Sequence, residues 1–300
     1  MECAMPRFEE VVSGIKILHS PFGGLWSGIV LIPGTENVLI DSGANAEVVD
    51  DCLVPALRGE GLEPADIHWL LCTHCHGDHI GGHFRLREIT SARIAAYRGS
   101  LDKLRDPLKY SKLIRSRFPE FSPPPPPVLR GVEPDLVLDE GDRVANRLRL
   151  VYTPGHDDDT VCWYDETTKS LISGDSLQGN GTVLQGIGFY QNLPAYRASL
   201  GRLGDMDIAN LIAGHPYLPV GATAIGREDV RAYLNECSRL VDLYDKLIAE
   251  IRYSGEHEPA SIARELIQRV NGQQPAFLFL ALYTVTEHLK TGNPCATSFK

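Results

Sequence analysis

Residues 70–83 read LLCTHCHGDHIGGH, an apolar run that breaks into four histidines, two cysteines and an aspartate. His74, His76, Asp78 and His79 fall within six residues, and imidazole and carboxylate at that density are metal-ligand chemistry. His74 and His76 are two apart, which on a helix would separate them by about 200°, so sharing one ion requires an extended or turning backbone. The apolar segment DIHWLLCT reads as a short buried strand that delivers them. Gly77 then bends the chain and turns Asp78 and His79 toward a second ion. Cys75 points the other way in an extended segment and stays outside the ligand set. Cys72 and Cys75 form a C-x-x-C, whose alternative reading is a redox pair, but His74 between them fits the ligand pattern better.

Two ions need more donors than four residues supply. Three more follow apolar runs beside glycine: His156 ends LVYTPGH, Asp175 ends SLISGD and His215 ends IANLIAGH. Asp157, Asp158 and Asp159 after His156 read as turn hydrogen-bonders and outer support, with His83 a weaker candidate for a site role. His19, His68, His257 and His288 lack such company and read as structural or surface residues.

Three hundred residues at 43% hydrophobic suffice for a sizeable core. A net charge of -10 argues against general nucleic-acid or anionic-membrane binding. The opening residues MECAMPRFEE hold no apolar leader, and no run reaches the ~18 apolar residues that a bilayer demands, so the expectation is a cytoplasmic protein. Seven scattered cysteines read as reduced thiols.

The first forty residues alternate apolar runs with glycine-bearing turns and read as strands; NAEVVDDCLVPALRGEG reads as a helix. From Arg93 to Arg117, eight Lys or Arg stand against two Asp. That segment is either a solvated helix face or a cap over a pocket for an anionic substrate. The proline run from Ser122 to Pro127 is a stiff connector closing this insertion. Further strands follow it, and from about Arg227 long helical periodicity takes over. Two of the C-terminal segments carry a proline read as first-turn, at Pro259 and Pro275. Their apolar stripe packs on the core or on a second subunit, which would make a homodimer. The expected organisation is thus a β-rich unit over 1–225, with a helical basic insertion at about 97–121, and a helical subdomain over 226–300.

The motif His74-Cys75-His76-Gly77-Asp78-His79 resembles the H-x-H-x-D-H signature of the metallo-β-lactamase-fold hydrolase superfamily, and His156, Asp175 and His215 occur in the order of that family. The resemblance spans roughly residues 10–220 and implies an α+β fold, a four-layer αββα sandwich with metals at one edge. It implies that His74, His76 and His156 hold one divalent metal and Asp78, His79 and His215 the other, with Asp175 bridging and Asp41 supporting from behind. Zinc is the leading ion, iron or manganese the alternatives. Asp78 and Asp175 take the catalytic roles, and the implied reaction is attack of a metal-bound hydroxide on an ester, thioester or lactone carbonyl.

The layout of insertion and helical tail is similar to the thioesterase-like branch that includes the quinolone-signal response protein, which implies a small-molecule substrate, best an acyl-CoA-like thioester. The segment after Asp175 lacks the glutathione-binding pattern of glyoxalase II-like members. Phe189 and Tyr190 are the candidate acyl contacts, and the Gly-rich stretch 179–188 is expected to be a mobile wall. A phosphodiesterase or endoribonuclease of the same fold, and a partner-binding regulator acting through its C-terminal helices, are the alternatives.

Overall fold

A computed structural model describes residues 6–291. Seven strands form the first sheet in sequential order: β1 (Glu9–Val12), β2 (Ile15–Phe22), β3 (Leu25–Ile32), β4 (Asn37–Ile40), β5 (Ile67–Leu71), β6 (Arg93–Tyr97) and β7 (Leu136–Leu138). The first four pair antiparallel and the rest parallel. The second sheet holds β8 (Arg143–Val144), β9 (Leu148–Tyr152), β10 (Val161–Asp165), β11 (Ser170–Gly174), β12 (Asn210–Tyr217) and β13 (Gly221–Ile225), antiparallel except for β11 beside β12.

Strand β3, LWSGIVLI, shows why two sheets stack. Val30 and Ile32 enter a core between the sheets with Leu150, Trp163 and Ile212, whereas Ile29 and Leu31 enter another under the helices. A strand buried on both faces reads as a continuous apolar run rather than an alternation.

The first outer layer comprises α1 (Ala46–Val48), a π turn (Val49–Leu53) and α2 (Val54–Gly59), then α3 (Gly77–Ile80) and α4 (His83–Ile89). The expected helix over NAEVVDDCLVPALRGEG is therefore present, with a widened turn in its middle. The basic insertion forms α5 (Leu101–Arg105) and α6 (Pro107–Ser116). On the opposite face lie α7 (Leu193–Gly204), α8 (Arg227–Tyr253), α9 (Pro259–Val270) and α10 (Phe279–Thr291). The result is helices, sheet, sheet, helices, as expected for an α+β sandwich.

Helices α7 to α10 share one apolar core with the outer face of the second sheet, where Leu171 and Leu211 meet Leu200, Tyr233, Leu266 and Leu282. The C-terminal stripe thus packs on the chain's own core. Pro259 opens α9 as expected, but Pro275 precedes α10 by four residues and packs against Gly186 instead. The Gly-rich stretch also departs from its expected mobility, because the tail helices cover it. Tyr244 donates to Asn180 Oδ1 at 2.5 Å and accepts from the Gly188 amide at 3.2 Å, while Asn271 donates to the Gly186 carbonyl at 3.1 Å.

No helix among the described residues is long and apolar enough to cross a membrane. Cys52, Cys72, Cys75, Cys162 and Cys237 are buried free thiols; Cys3 and Cys295 lie outside the described residues. Replacing Tyr244 by Phe strands two buried polar partners, and we expect urea denaturation to show a loss of about 1–3 kcal/mol.

Candidate metal centre

All seven expected ligand residues meet at one edge of the sandwich, where the loops after β5, β9 and β11 converge on β12. Two clusters form: His74, His76 and His156, and Asp78, His79 and His215. His156 Nε2 lies 3.2 Å from His74 Nε2 and 3.0 Å from His76 Nδ1. In the other cluster His215 Nε2 lies 3.3 Å from His79 Nε2 and 3.0 Å from Asp78 Oδ2. Asp175 spans both, with Oδ1 3.3 Å from His79 Nε2 and Oδ2 3.6 Å from His156 Nε2.

The outward nitrogens decide what faces inward. His156 Nδ1 sits 2.9 Å from the Phe189 carbonyl and His215 Nδ1 2.8 Å from the Trp26 carbonyl, so both must donate there. His79 Nδ1 donates to Asp41 Oδ2 at 2.8 Å. Thr73 gives its own proton to Asp41 Oδ2 at 2.9 Å, which leaves its oxygen to accept from His74 Nδ1 at 3.1 Å. His76 turns Nε2 toward Asp157 Oδ2 at 3.4 Å. With every outer nitrogen protonated, the five inner nitrogens converge on the centre beside Asp78 and Asp175, where they can take a cation or, at His79 and His215, a proton. Buried Asp175 Oδ1 accepts no hydrogen bond. Convergent nitrogen lone pairs and carboxylates, each oriented from behind, fit divalent metal.

The electrostatics agree. Burial, with His79 and His76 nearby, holds His74 well below the usual histidine range; burial and His76 bring His156 down to about 4. Burial opposes charge on His79 and His215 too, but Asp175 and Asp78 outweigh it and raise both. Those same imidazoles hold the buried Asp78 and Asp175 carboxyls below the usual range. A proton and a cation therefore compete for this pocket.

Backbone shape is specific here. A Cβ on Gly214 would stand 2.5 Å from Asp175 Oδ1, and one on Gly174, whose φ is +48°, would stand 2.4 Å from Thr73 Oγ1. Asp41 itself adopts φ 64°, a conformation that Asp and Asn tolerate better than most residues.

The neighbouring residues sort clearly. Asp157, Asp158 and Asp159 grip the Lys103 ammonium, at 2.6 Å for Asp157 and 3.0 Å for Asp159, so a side-chain cation already occupies that acidic cluster. Asp157 also accepts from Tyr110, so Lys103 and Tyr110 together hold the carboxylate that faces His76. His83 hydrogen-bonds Ser42 at 2.7 Å, is pushed by burial and Arg87 down to about 3, and joins neither cluster. Cys75 stays out as expected; burial raises its thiol well above the usual range. His288 is buried rather than superficial, between Tyr190 and Asp245.

A cavity of about 410 Å³ opens onto both clusters. Phe22, Leu25, Leu129, Leu184, Phe279 and Leu280 line it, as does Phe189, whose ring stacks 5.9 Å from that of His76. Tyr190 corrects the expectation: its side chain turns into the core, stacks on Tyr196 and donates or accepts at His288 at 2.6 Å, because successive side chains of an extended segment point oppositely. Pro123, Pro124 and Pro126 of the connector are wall residues, which its composition gave no reason to expect.

The basic segment is less cationic than its composition. Arg98 pairs with Asp139, Lys103 with the three aspartates, and Arg105 with Glu133, all outside the segment. Arg115 lines the cavity.

Two substitutions test these supports. Asp41→Asn keeps the backbone conformation but loses the acceptor charge behind His79, and chelator competition is expected to show metal affinity reduced about 10–100-fold. Lys103→Met leaves buried Asp157 and Asp159 uncompensated and should lower unfolding free energy by about 3 kcal/mol or more in a denaturant titration.

Residues 25–215 match the Metallo-beta-lactamase superfamily. The Beta-lactamase-like protein 2 homolog of Caenorhabditis elegans is 27% identical over 198 residues, 63% of this chain, which spans only 58% of that relative's length. The Acyl-coenzyme A thioesterase MBLAC2 of Gallus gallus is 29% identical over 213 residues, 65% of this chain and 73% of that protein. A metallo-beta-lactamase family protein from Thermus thermophilus superposes with a TM-score of 0.74 at 23% identity, covering 94% of this chain and 95% of the other, a likeness of fold. With the stacked sheets, the edge site and the match over residues 25–215 in agreement, the chain belongs to the metallo-beta-lactamase superfamily.

Proposed function

We propose that this chain is a hydrolase that holds two divalent ions, zinc foremost with iron or manganese as alternatives, and cleaves an ester, thioester or lactone carbonyl, with an acyl-CoA-like thioester as the leading substrate. The carrying observation is that five inward imidazole lone pairs and two carboxylates open onto an apolar cavity. His74, His76 and His156 would hold one ion, Asp78, His79 and His215 the other, and Asp175 both. Such ions polarise a carbonyl and bring the pKa of a water toward about 7.

The chain supplies the rest. Phe22, Leu25, Phe189 and Phe279 give an acyl group an apolar wall and exclude bulk water beside the clusters. Asp78, kept ionised by His79 and His215, is one of two carboxylates on the cavity wall and would accept a proton from an attacking water. The chicken relative's name supports the thioester choice. A phosphodiesterase would need a continuous basic face, yet much of the insertion's charge is paired internally. A regulator acting through the tail helices would need a free apolar stripe, and that stripe is packed on the second sheet.

The test combines elemental analysis of metal-replete protein with hydrolysis of an acyl-CoA, an acyl-homoserine lactone, a β-lactam, bis-p-nitrophenyl phosphate and single-stranded RNA. We expect two metals per chain and thioester turnover that His76→Ala lowers by more than the roughly 10–100-fold typical of outer partners. Protein that takes up no stoichiometric metal would refute the dinuclear reading.

A further inference from the structure

The cavity wall contains one Lys or Arg among the described residues, Arg115 on α6. Its Nη1 is fastened to its own helix, donating to the Ser111 carbonyl at 2.9 Å and to Ser111 Oγ at 2.7 Å. Its plane lies over the Phe279 ring, 5.7 Å from the centroid. Among the described residues no carboxylate pairs with it, in contrast to Arg98 and Arg105 of the same insertion, and its Nε is buried without a hydrogen-bond partner. A buried donor left unmade costs free energy, and a guanidinium with no anion beside it is poorly compensated.

We infer that Arg115 is an anion anchor for the substrate. The inference rests on the proposed hydrolase reading and narrows it to substrates that carry an oxyanion, a carboxylate or a phosphate, away from the scissile carbonyl. Nη2, which unlike Nε is not buried and makes no hydrogen bond, is the nitrogen of the planar fork left to bind an oxygen of such a group. Ser111 and Phe279 fix the plane, so less rotamer freedom is lost on binding. Arg115 and the metal clusters line one cavity together with Phe189 and Ile114, which give an apolar spacer between anion and scissile carbonyl a surface to cross. The specificity is a difference between substrates, with the anionic member favoured and its neutral isostere penalised by the unpaired guanidinium.

Two sources of the anion are separable by binding alone. Calorimetric titration of the metal-replete protein with succinamate against succinamide tests a carboxylate on the acyl side, and coenzyme A against pantetheine tests phosphates on the leaving group. We expect one pair to show preference for its anionic member, and Arg115→Met to weaken that member about 10–100-fold while changing its partner less than about threefold. Arg115→Lys, which retains the charge but not the fork, should recover only part of the loss. Ser111→Ala should give an intermediate loss through the freed guanidinium. A wild-type protein that discriminates within neither pair, or an Arg115→Met protein that discriminates equally well, overturns the anchor. Circular dichroism and thermal melting of both Arg115 variants guard against misfolding, and Arg115→Lys carries the test if Arg115→Met is unfolded. Retained binding preference without turnover of the acyl-CoA of the hydrolysis panel would overturn the thioester reading and leave the anchor standing.

Discussion

The convergence of five imidazole nitrogens and two carboxylates at one edge of the sandwich is the constraint on which the rest of the site depends. Four of the rings are held by an acceptor on the far nitrogen, and these acceptors come from dispersed parts of the chain: the Trp26 and Phe189 carbonyls, Asp41 and Thr73; the fifth, His76, faces Asp157 without a hydrogen bond. Removing the acceptors would let the rings flip or swap tautomers and relieve the crowding. Holding them instead keeps the site in a state that a cation relieves, so metal binding and correct packing stabilise one another.

That dependence explains the distribution of tolerance for side-chain volume. Around Gly174 and Gly214 a single methyl group would meet Thr73 or Asp175. Farther out, the Lys103 cluster has similar rigidity, since one ammonium is balanced by three consecutive carboxylates and sits over the Tyr110 ring at 4.3 Å. The outer cluster and the ligand pocket share Asp157, so the insertion is electrostatically tied to the centre it covers.

The convergence of the seven candidate ligands was legible because their spacing is chemically restrictive: a pair two apart needs extended backbone, and glycine beside each later donor implies a close turn. Strands were legible where both faces are buried, as in β3. Other features were written in no local pattern. Tyr190 and Phe189 are equally apolar in sequence, and only the direction of the chain entering the core decides which one meets the cavity. Helix α7 went unforeseen, although Asn192, which accepts from the Ala195 amide, and Pro194 form a recognisable N-terminal signal. Arg115 was one of eight basic residues, and its distinction lies in lining the cavity without the carboxylate that Arg98, Lys103 and Arg105 find on distant elements. Composition reported their charge but had no access to the carboxylates across the fold.

The roof over the Gly-rich stretch carries a consequence for how the protein matures. Thr284 on α10 accepts from the Tyr190 amide at 3.2 Å and donates to the Gly188 carbonyl at 2.7 Å, bracketing the Phe189 carbonyl that orients His156. During synthesis all seven donors, the last being His215, leave the ribosome before the helix that fixes this bracket. The nascent chain thus passes through an interval in which all seven side chains have emerged while the acceptor of the His156 ring still lacks the helix that fixes it.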